Sequence, residues 1–330
     1  MPKPSDTLWD IAKAEVEKKE NLEGNGVEVW EKSLLFMGNK NGGKTTIILR
    51  CLDRDEIPKP TLALEYTFGR RAKGHNRPKD IAHFWELGGG TSLLDLIRIP
   101  ITNDNIRTFA IILVLDLSKP NELWPTMDSL LQATRNHVDK IITKLGKTNP
   151  KVATEIKQRT WNNMPKDHPD HELIDPFPIP LVIIGSKYDI FHFTSKSEAL
   201  LLKARVLINH LAFGFDRSKS ISVDQNKPLF IPAGLDSLNQ IGPPPATDSD
   251  IGKLHAHTPV DLWKKIYEKT FPSKSTRDLK DVNDPAQDPQ YAEYEVDAMR
   301  TQKNQDSHGQ YPVPSSLLGM DKVLNLAHRA

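Results

Sequence analysis

The run Gly38-Asn39-Lys40-Asn41-Gly42-Gly43-Lys44-Thr45 fits G-x-x-x-x-G-K-[ST] at every position, and nothing else in the chain restricts its fold as much. The chemistry of phosphate binding needs each part. Glycines let the backbone curl until several N–H groups point at one phosphate. Lys44 is placed to reach the β- and γ-phosphates, and Thr45 to set its hydroxyl on Mg²⁺. A helix predicted from Thr46 to Leu52 turns its positive end toward the anion, and an apolar strand at Ser33 to Met37 leads into the loop. Gly38, Asn41, Gly42, Gly43, Lys44, Thr45 and Thr46 are therefore the candidate phosphate-binding residues. A domain can keep such a loop for its shape alone, so the motif argues architecture more strongly than bound nucleotide.

Short apolar runs alternate with helical periodicities along the rest of the chain. Further strands are predicted at Ala82 to Leu87, Ala110 to Leu117 and Leu181 to Ile184, each nearly continuous in apolar residues. Within Asn121 to Gly146, Leu123, Leu130, Leu131, Val138, Ile141, Ile142 and Leu145 recur at helical spacing. Helices are also predicted at Asp6 to Lys19, Ser197 to Phe213 and Pro259 to Phe271. Lys151 to Pro180 reads as a His- and Pro-rich connection with one helix at its start. Ser218 to Pro245 reads as loop with a short strand at Leu229 to Ile231. This alternation gives an α/β fold with a mainly parallel sheet, and the phosphate loop makes it a Ras-like P-loop domain. The expected layout is an N-terminal helix and linker over 1–30 and the P-loop domain over 31–216. An extension follows over 217–272, then a largely disordered tail with a short helix over 273–330.

Two further segments suit a nucleotide site. Gly185-Ser186-Lys187-Tyr188-Asp189 follows an apolar strand and resembles the [NT]-K-x-D segment of GTP-binding proteins. There the carboxylate accepts two hydrogen bonds from guanine, the role Asp189 would take, with the Lys187 stem packed on the base. Ser186 stands where Asn or Thr is usual, and a solvated turn is the plain alternative. Trp85-Glu86-Leu87-Gly88-Gly89 ends a strand where Ras-like proteins carry D-x-x-G. Glu86 takes the acidic position and Gly89 the γ-phosphate-sensing glycine. Thr45, Thr61 and Glu86 are the candidate Mg²⁺ residues. Gly90 follows, where an active GTPase places the Gln that orients the attacking water. Glycine offers no side chain for that task, so fast hydrolysis is not expected.

Composition removes other classes. The formal net charge is +1, which steers the chain toward neither nucleic acid nor a membrane surface. The longest apolar runs, Ala110 to Leu115 and Leu181 to Ile184, fall far below the roughly 20 residues of a membrane span. Neither nucleic-acid binding nor membrane insertion is expected. Cys51 is the only cysteine, so no intrachain disulfide is possible, and the N-terminus lacks a signal-peptide core. His168, Asp170, His171 and Glu172 are ligand-type residues in a Pro-rich loop, without helical i, i+4 spacing, and read as a solvated loop. The basic residues Arg70, Arg71, Lys73, Arg77 and Lys79 read as a solvated switch-region loop. Leu262, Trp263, Ile266 and Tyr267 make the best docking face outside the P-loop domain, with packing on that same domain as the alternative.

Longer stretches carry a resemblance. Pro58-Lys59-Pro60-Thr61-Leu62-Ala63-Leu64-Glu65-Tyr66, Arg70-Arg71-Ala72-Lys73-Gly74-His75-Asn76 and His83-Phe84-Trp85-Glu86-Leu87-Gly88-Gly89-Gly90-Thr91 look like the dynein light intermediate chains, on the cytoplasmic dynein 2 side of that family. Lys166-Asp167-His168-Pro169-Asp170-His171-Glu172, Asn226 to Ile231, Ile251 to His257 and Asp288 to Ala292 extend the likeness over roughly residues 5 to 303. The resemblance implies a non-catalytic subunit that binds and stabilises the dynein 2 heavy chain, alongside other dynein 2 subunits. It would serve retrograde intraflagellar transport and cilium assembly, with indirect links to microtubules and transport particles. It implies a cytoplasmic, ciliary and centrosomal location, with a guanine nucleotide and Mg²⁺ as the cofactor, held structurally or lost. An active GTP-hydrolysing switch and a small-molecule P-loop kinase are the competing readings.

One departure stands out. Thr194-Ser195-Lys196 looks like the [ST]-[AS]-K loop of Ras-like folds, yet only Ile190, Phe191, His192 and Phe193 separate it from Asp189. A crossover to a parallel strand needs about a dozen residues. The chain therefore resembles a shortened form lacking an edge strand and a helix between Asp189 and Thr194, and Ser195 and Lys196 are not assigned to base binding.

Overall fold

The computed structural model describes residues 31–71, 79–162, 165–188, 190, 208, 211–212, 231–244, 256–273 and 294–310. Five strands form one sheet: β1 (Glu31–Gly38), β2 (Leu64–Arg71), β3 (Asp80–Leu87), β4 (Phe109–Asp116) and β5 (Leu181–Ser186), in the order β2-β3-β1-β4-β5. β1 runs parallel to β3 and β4, and β4 parallel to β5, while β2 is antiparallel to β3. The central strands are the predicted apolar runs. Leu34, Leu35, Phe36 and Met37 of β1 are fully buried, and every residue of β4 is buried, because both faces of the sheet are covered.

Residues alternate between two cores. On one face Leu35, Met37, Ile111 and Leu113 pack against α2 (Pro120–Thr148) and α3 (Pro150–Asn162). On the other, Leu34, Phe36, Ile112, Val114 and Ile184 pack against α1 (Lys44–Cys51) and against Ile208 and Ala212. Ile208 and Ala212 are fully buried, so part of the helix expected at Ser197 to Phe213 lies on the sheet despite the short connection after Asp189. Among the described residues no strand follows β5 at that edge.

The structure departs from the sequence reading at β2. Leu64–Arg71 is an eight-residue strand where the sequence predicts none, and its last two residues, Arg70 and Arg71, read there as loop. Its residues are intermediate or exposed and none is buried, Gly69 interrupts it and two arginines end it, so it lacks the apolar run that marks the others. Cross-strand aromatic contact holds it in place, with the Tyr66 and Trp85 rings 4.8 Å apart. Leu229 and Phe230 fall outside the described residues, and Ile231 is not in a strand.

The described chain also holds two 3-10 turns, Leu94–Arg98 and Ile106–Thr108, and three further helices. α4 (Leu238–Ile241) starts at a capping box, with Ser237 and Gln240 bonded reciprocally. α5 (Pro259–Thr270) is capped by Thr258. α6 (Tyr294–Gln310) lies in a separate compact unit, 280–330, whereas the sheet belongs to the unit 1–279. The N-terminal helix expected at Asp6 to Lys19 lies outside the described residues. No helix among the described residues is long and apolar enough to cross a membrane.

Candidate functional site

β1 leads straight into the phosphate loop at its carboxyl end. There the topology switches, with β3 and β2 on one side and β4 and β5 on the other, the place where open α/β sheets bind ligands. Gly38 has φ 144°, and a Cβ there would lie 1.8 Å from the Val114 carbonyl oxygen, so only glycine fits. Asn41 at φ 60° and Gly43 at φ 89° complete the curl, and nothing stands within 4 Å of a Cβ placed on Gly43. Gly43 gives way to α1, which opens on Lys44 and carries Thr45 and Thr46 in its first turn.

Lys44 is 5% exposed, and its Nζ donates to the Asn39 carbonyl at 3.0 Å. Burial holds its pKa below the usual lysine value, and the nearby Glu86 carboxylate acts the other way. Thr45 Oγ1 donates to Glu86 Oε1 at 2.9 Å. Glu86 is likewise 5% exposed. Burial raises its pKa, while the Thr45 hydroxyl, the Lys44 charge and the Thr61 hydroxyl oppose that rise. Thr61 donates to Glu65 Oε2 at 3.2 Å, and Glu65 is the cross-strand partner of Glu86. Thr45, Thr61 and Glu86 thus share one corner beside the loop. The sequence reading missed Glu65, because β2 carried no strand signal.

The glycines after Glu86 complete that corner. A Cβ on Gly88 would lie 2.4 Å from the Thr61 carbonyl oxygen. Gly89 and Gly90 have φ 69° and 62°, and a Cβ on Gly90 would come 3.5 Å from the Lys40 amide nitrogen. The residue expected to lack the hydrolytic side chain therefore sits against the phosphate loop in a left-handed backbone.

Behind the loop lies a network that the sequence reading did not contain. Asn39 Oδ1 accepts from the Asp116 amide at 3.0 Å, and Asn39 Nδ2 donates to Thr126 Oγ1 at 3.2 Å and to Glu122 Oε2 at 3.4 Å. Asp116, fully buried at the end of β4, pairs with Lys187 Nζ at 2.5 Å and accepts from Ser118 Oγ at 2.6 Å. Burial alone would raise the Asp116 pKa, but the bonds from Lys187 and Ser118 outweigh it and hold the carboxyl below the usual range. Lys187 has φ 56°, so the segment after β5 turns sharply where the base-reading motif lies. A Cβ on Gly185 just before it would lie 2.8 Å from Leu117 Cδ1, so a side chain there would have to push the Leu117 side chain aside. Asp189 lies outside the described residues. The available signal was a lone Asp ending an apolar strand, Val114-Leu115-Asp116, at the level of the loop.

These residues fit a nucleotide's phosphates and a divalent cation. The cradle offers backbone amides beside the open space at Gly43, a buried ammonium, a hydroxyl and a carboxylate. Among the described residues no cluster of three His, Cys, Asp or Glu could hold a metal by protein ligands alone. The His168 segment is a loop, solvated at Glu172, but its His168 end is fastened. His168 is 9% exposed, its Nε2 donates to the Asp236 carbonyl at 2.8 Å and its Nδ1 accepts from the Asp170 amide at 3.1 Å. Asp170 Oδ2 then accepts from the Leu238 amide at 2.7 Å, so this group fastens the α4 segment.

The expected docking face on α5 turns largely inward. Ile266 is 5% exposed, the Tyr267 ring lies tilted 5.7 Å from Trp124, and its hydroxyl donates to the Pro120 carbonyl at 2.7 Å. Lys264 reaches Asp128 at 2.8 Å. α5 therefore packs on the first turns of α2.

A phosphate loop after the central strand of a mostly parallel sheet, with an acid–Gly–Gly corner on β3 and a Lys turn after β5, defines a Ras-like P-loop domain. Comparison with known proteins narrows this. A family model described as dynein light intermediate chain matches residues 4–176. Cytoplasmic dynein 2 light intermediate chain 1 of Homo sapiens is 69% identical over 329 residues, covering 91% of this chain and 94% of the human protein. The Danio rerio protein of that name is 54% identical over 341 residues, covering 93% and 95%. A crystal structure of a dynein light intermediate chain's conserved domain superposes with a TM-score of 0.48 at 13% identity, covering 75% of this chain and 100% of that one. The chain belongs to the dynein light intermediate chain family. The aligned 329 positions exceed 91% of a 330-residue chain, so the human protein carries residues within that span that this chain lacks.

Proposed function

We propose that this chain is a non-catalytic light intermediate chain subunit of the cytoplasmic dynein 2 complex. It binds and stabilises the heavy chain for retrograde intraflagellar transport and cilium assembly, at the cytoskeleton of the cytoplasm and cilium. The observation that carries this reading is the 69% identity, over nine-tenths of the chain, to a protein bearing that name. The site supports the non-catalytic part. Gly90 occupies the water-orienting position without a side chain, and its backbone disfavours any other residue.

Retained nucleotide binding belongs to the same proposal. Gly38, Asn41, Gly42, Gly43, Lys44, Thr45 and Thr46 would cradle the phosphates, with Thr45, Thr61 and Glu86 toward Mg²⁺. Lys187 and Asp189 would meet a guanine base. When bound, the nucleotide supplies a polyanion that locks the loop, α1 and the β3 corner together.

The test is co-purification with a tagged dynein 2 heavy-chain tail, followed by release and identification of any bound nucleotide. Stoichiometric capture with turnover near the uncatalysed rate is expected. Failure of capture overturns the subunit reading, and bound ATP overturns the role given to Asp189.

A further inference from the structure

We infer that the outer face of β2 is a docking strand for an extended segment of a partner protein in which apolar residues alternate with carboxylates. The inference deepens the subunit reading and rests on it for the partner's identity, while the chemistry of the surface stands by itself. Among the described residues β2 pairs only with β3, so its other edge points away from the sheet. The register sorts its side chains by face. Tyr66, Phe68 and Arg70 stand opposite Trp85, His83 and Ile81 on one face, and Glu65, Thr67, Gly69 and Arg71 lie on the other.

The first face is apolar and cationic. Tyr66 and Phe68 are 48% and 42% exposed. Their rings lie 6.4 Å apart, and the Tyr66 hydroxyl is held 2.9 Å from His83 Nδ1, which fixes the ring in an upright ladder. Arg70 stacks its guanidinium 4.9 Å from the Phe68 centroid, leaving its donors for a carboxylate. Every acid of β2 and β3 lies on the opposite face: Glu65 and Glu86 are cross-strand partners, and Asp80 pairs in register with Arg71. Charge complementarity thus selects an acidic segment. An exposed aromatic edge strand is also an aggregation template that proteins otherwise blunt. Strand addition covers it: ladder hydrogen bonds supply affinity, and alternate side chains meeting Tyr66, Phe68 and Arg70 supply selectivity.

The test follows hydrogen exchange at residues 64–71 in the full chain. It is measured alone, with the dynein 2 heavy-chain tail, with a synthetic peptide alternating Phe and Glu, and with that peptide's Phe–Lys twin. Protection by the heavy-chain tail and by the Glu peptide only is expected. Arg70→Glu should weaken both at least tenfold with the thermal melt unchanged, and Phe68→Ala should weaken the Glu peptide while leaving the Tyr66 contacts with Trp85 and His83 in place. Equal binding of the two peptides, or none together with unchanged exchange in the captured complex, overturns the inference. It is also overturned if 64–71 is protected in the free chain and becomes exposed on removal of residues 1–30, because the chain then covers its own edge. Protection by the Glu peptide without heavy-chain capture keeps the surface and removes only the partner assigned under the proposed function.

Discussion

Glu86 carries a charge that burial makes costly to this domain. Its folded pKa is raised by burial, so the folded state holds the proton more tightly than the unfolded chain does. Above the raised value the ionised carboxylate weakens the fold, and that penalty vanishes as pH falls toward the unfolded value of about 4.3. Glu86→Gln should therefore raise the melting temperature of the nucleotide-free chain at pH 7, the gain shrinking as pH falls through the Glu86 pKa. The same variant should bind Mg-nucleotide more weakly by calorimetry. Asp116 has the opposite sign. Its depressed pKa gives stability that is full above about 3.9 and is lost as pH falls through the folded value. Asp116→Asn should cost about 1–3 kcal/mol in urea denaturation at pH 7, and the gap from the parent should close in acid. At Gly90 a side chain must accept φ 62°. Gly90→Gln should cost about 1–2 kcal/mol in the same assay, with no gain in GTP turnover.

At the scale of elements, α5 shows how a face legible in sequence leaves its covering partner open. The periodicity of Leu262, Trp263, Ile266 and Tyr267 marks an apolar stripe, but periodicity does not say what covers it. Here the first turns of α2 cover Ile266 and Tyr267. Ile266→Ala should destabilise the domain by about 2–4 kcal/mol in chemical denaturation, as buried Ile truncations do. Lys264→Ala, which removes a half-exposed ion pair, should change stability by less than about 1 kcal/mol. The contrast would separate packing from charge at this contact. β2 failed to announce itself for the reverse reason. It is an edge strand without an apolar run, and its order depends on Trp85 and His83 from β3.

For the molecule as a whole, Asn39 joins parts far apart in sequence. Through it the phosphate loop touches the end of β4 and the first turns of α2, and Asp116 extends the link to Lys187 after β5. α5 grips the same end of α2 through Pro120. Asn39→Ala should lower thermal stability and weaken nucleotide binding together, whereas Lys44→Ala should weaken binding chiefly. Paired melting and calorimetry on the two variants would check this.

The sequence by itself determined the phosphate loop, the central strands and the long helix. Each is coded locally: glycines at fixed offsets, continuous apolar runs for β1 and β4, and a 3.6-residue period from Leu123 to Leu145. It also determined that Gly90 has no catalytic side chain. Only the tertiary structure decided the rest. Asp116 and Asn39 meet across 77 residues, so no local pattern marks them as partners. Glu65 joins the Glu86 corner only through strand register, and His168 is buried only because the Asp236 segment folds over it. Polar contacts of this kind depend on which elements the hydrophobic core brings side by side, and that is a property of the packed sheet and not of any one stretch of chain.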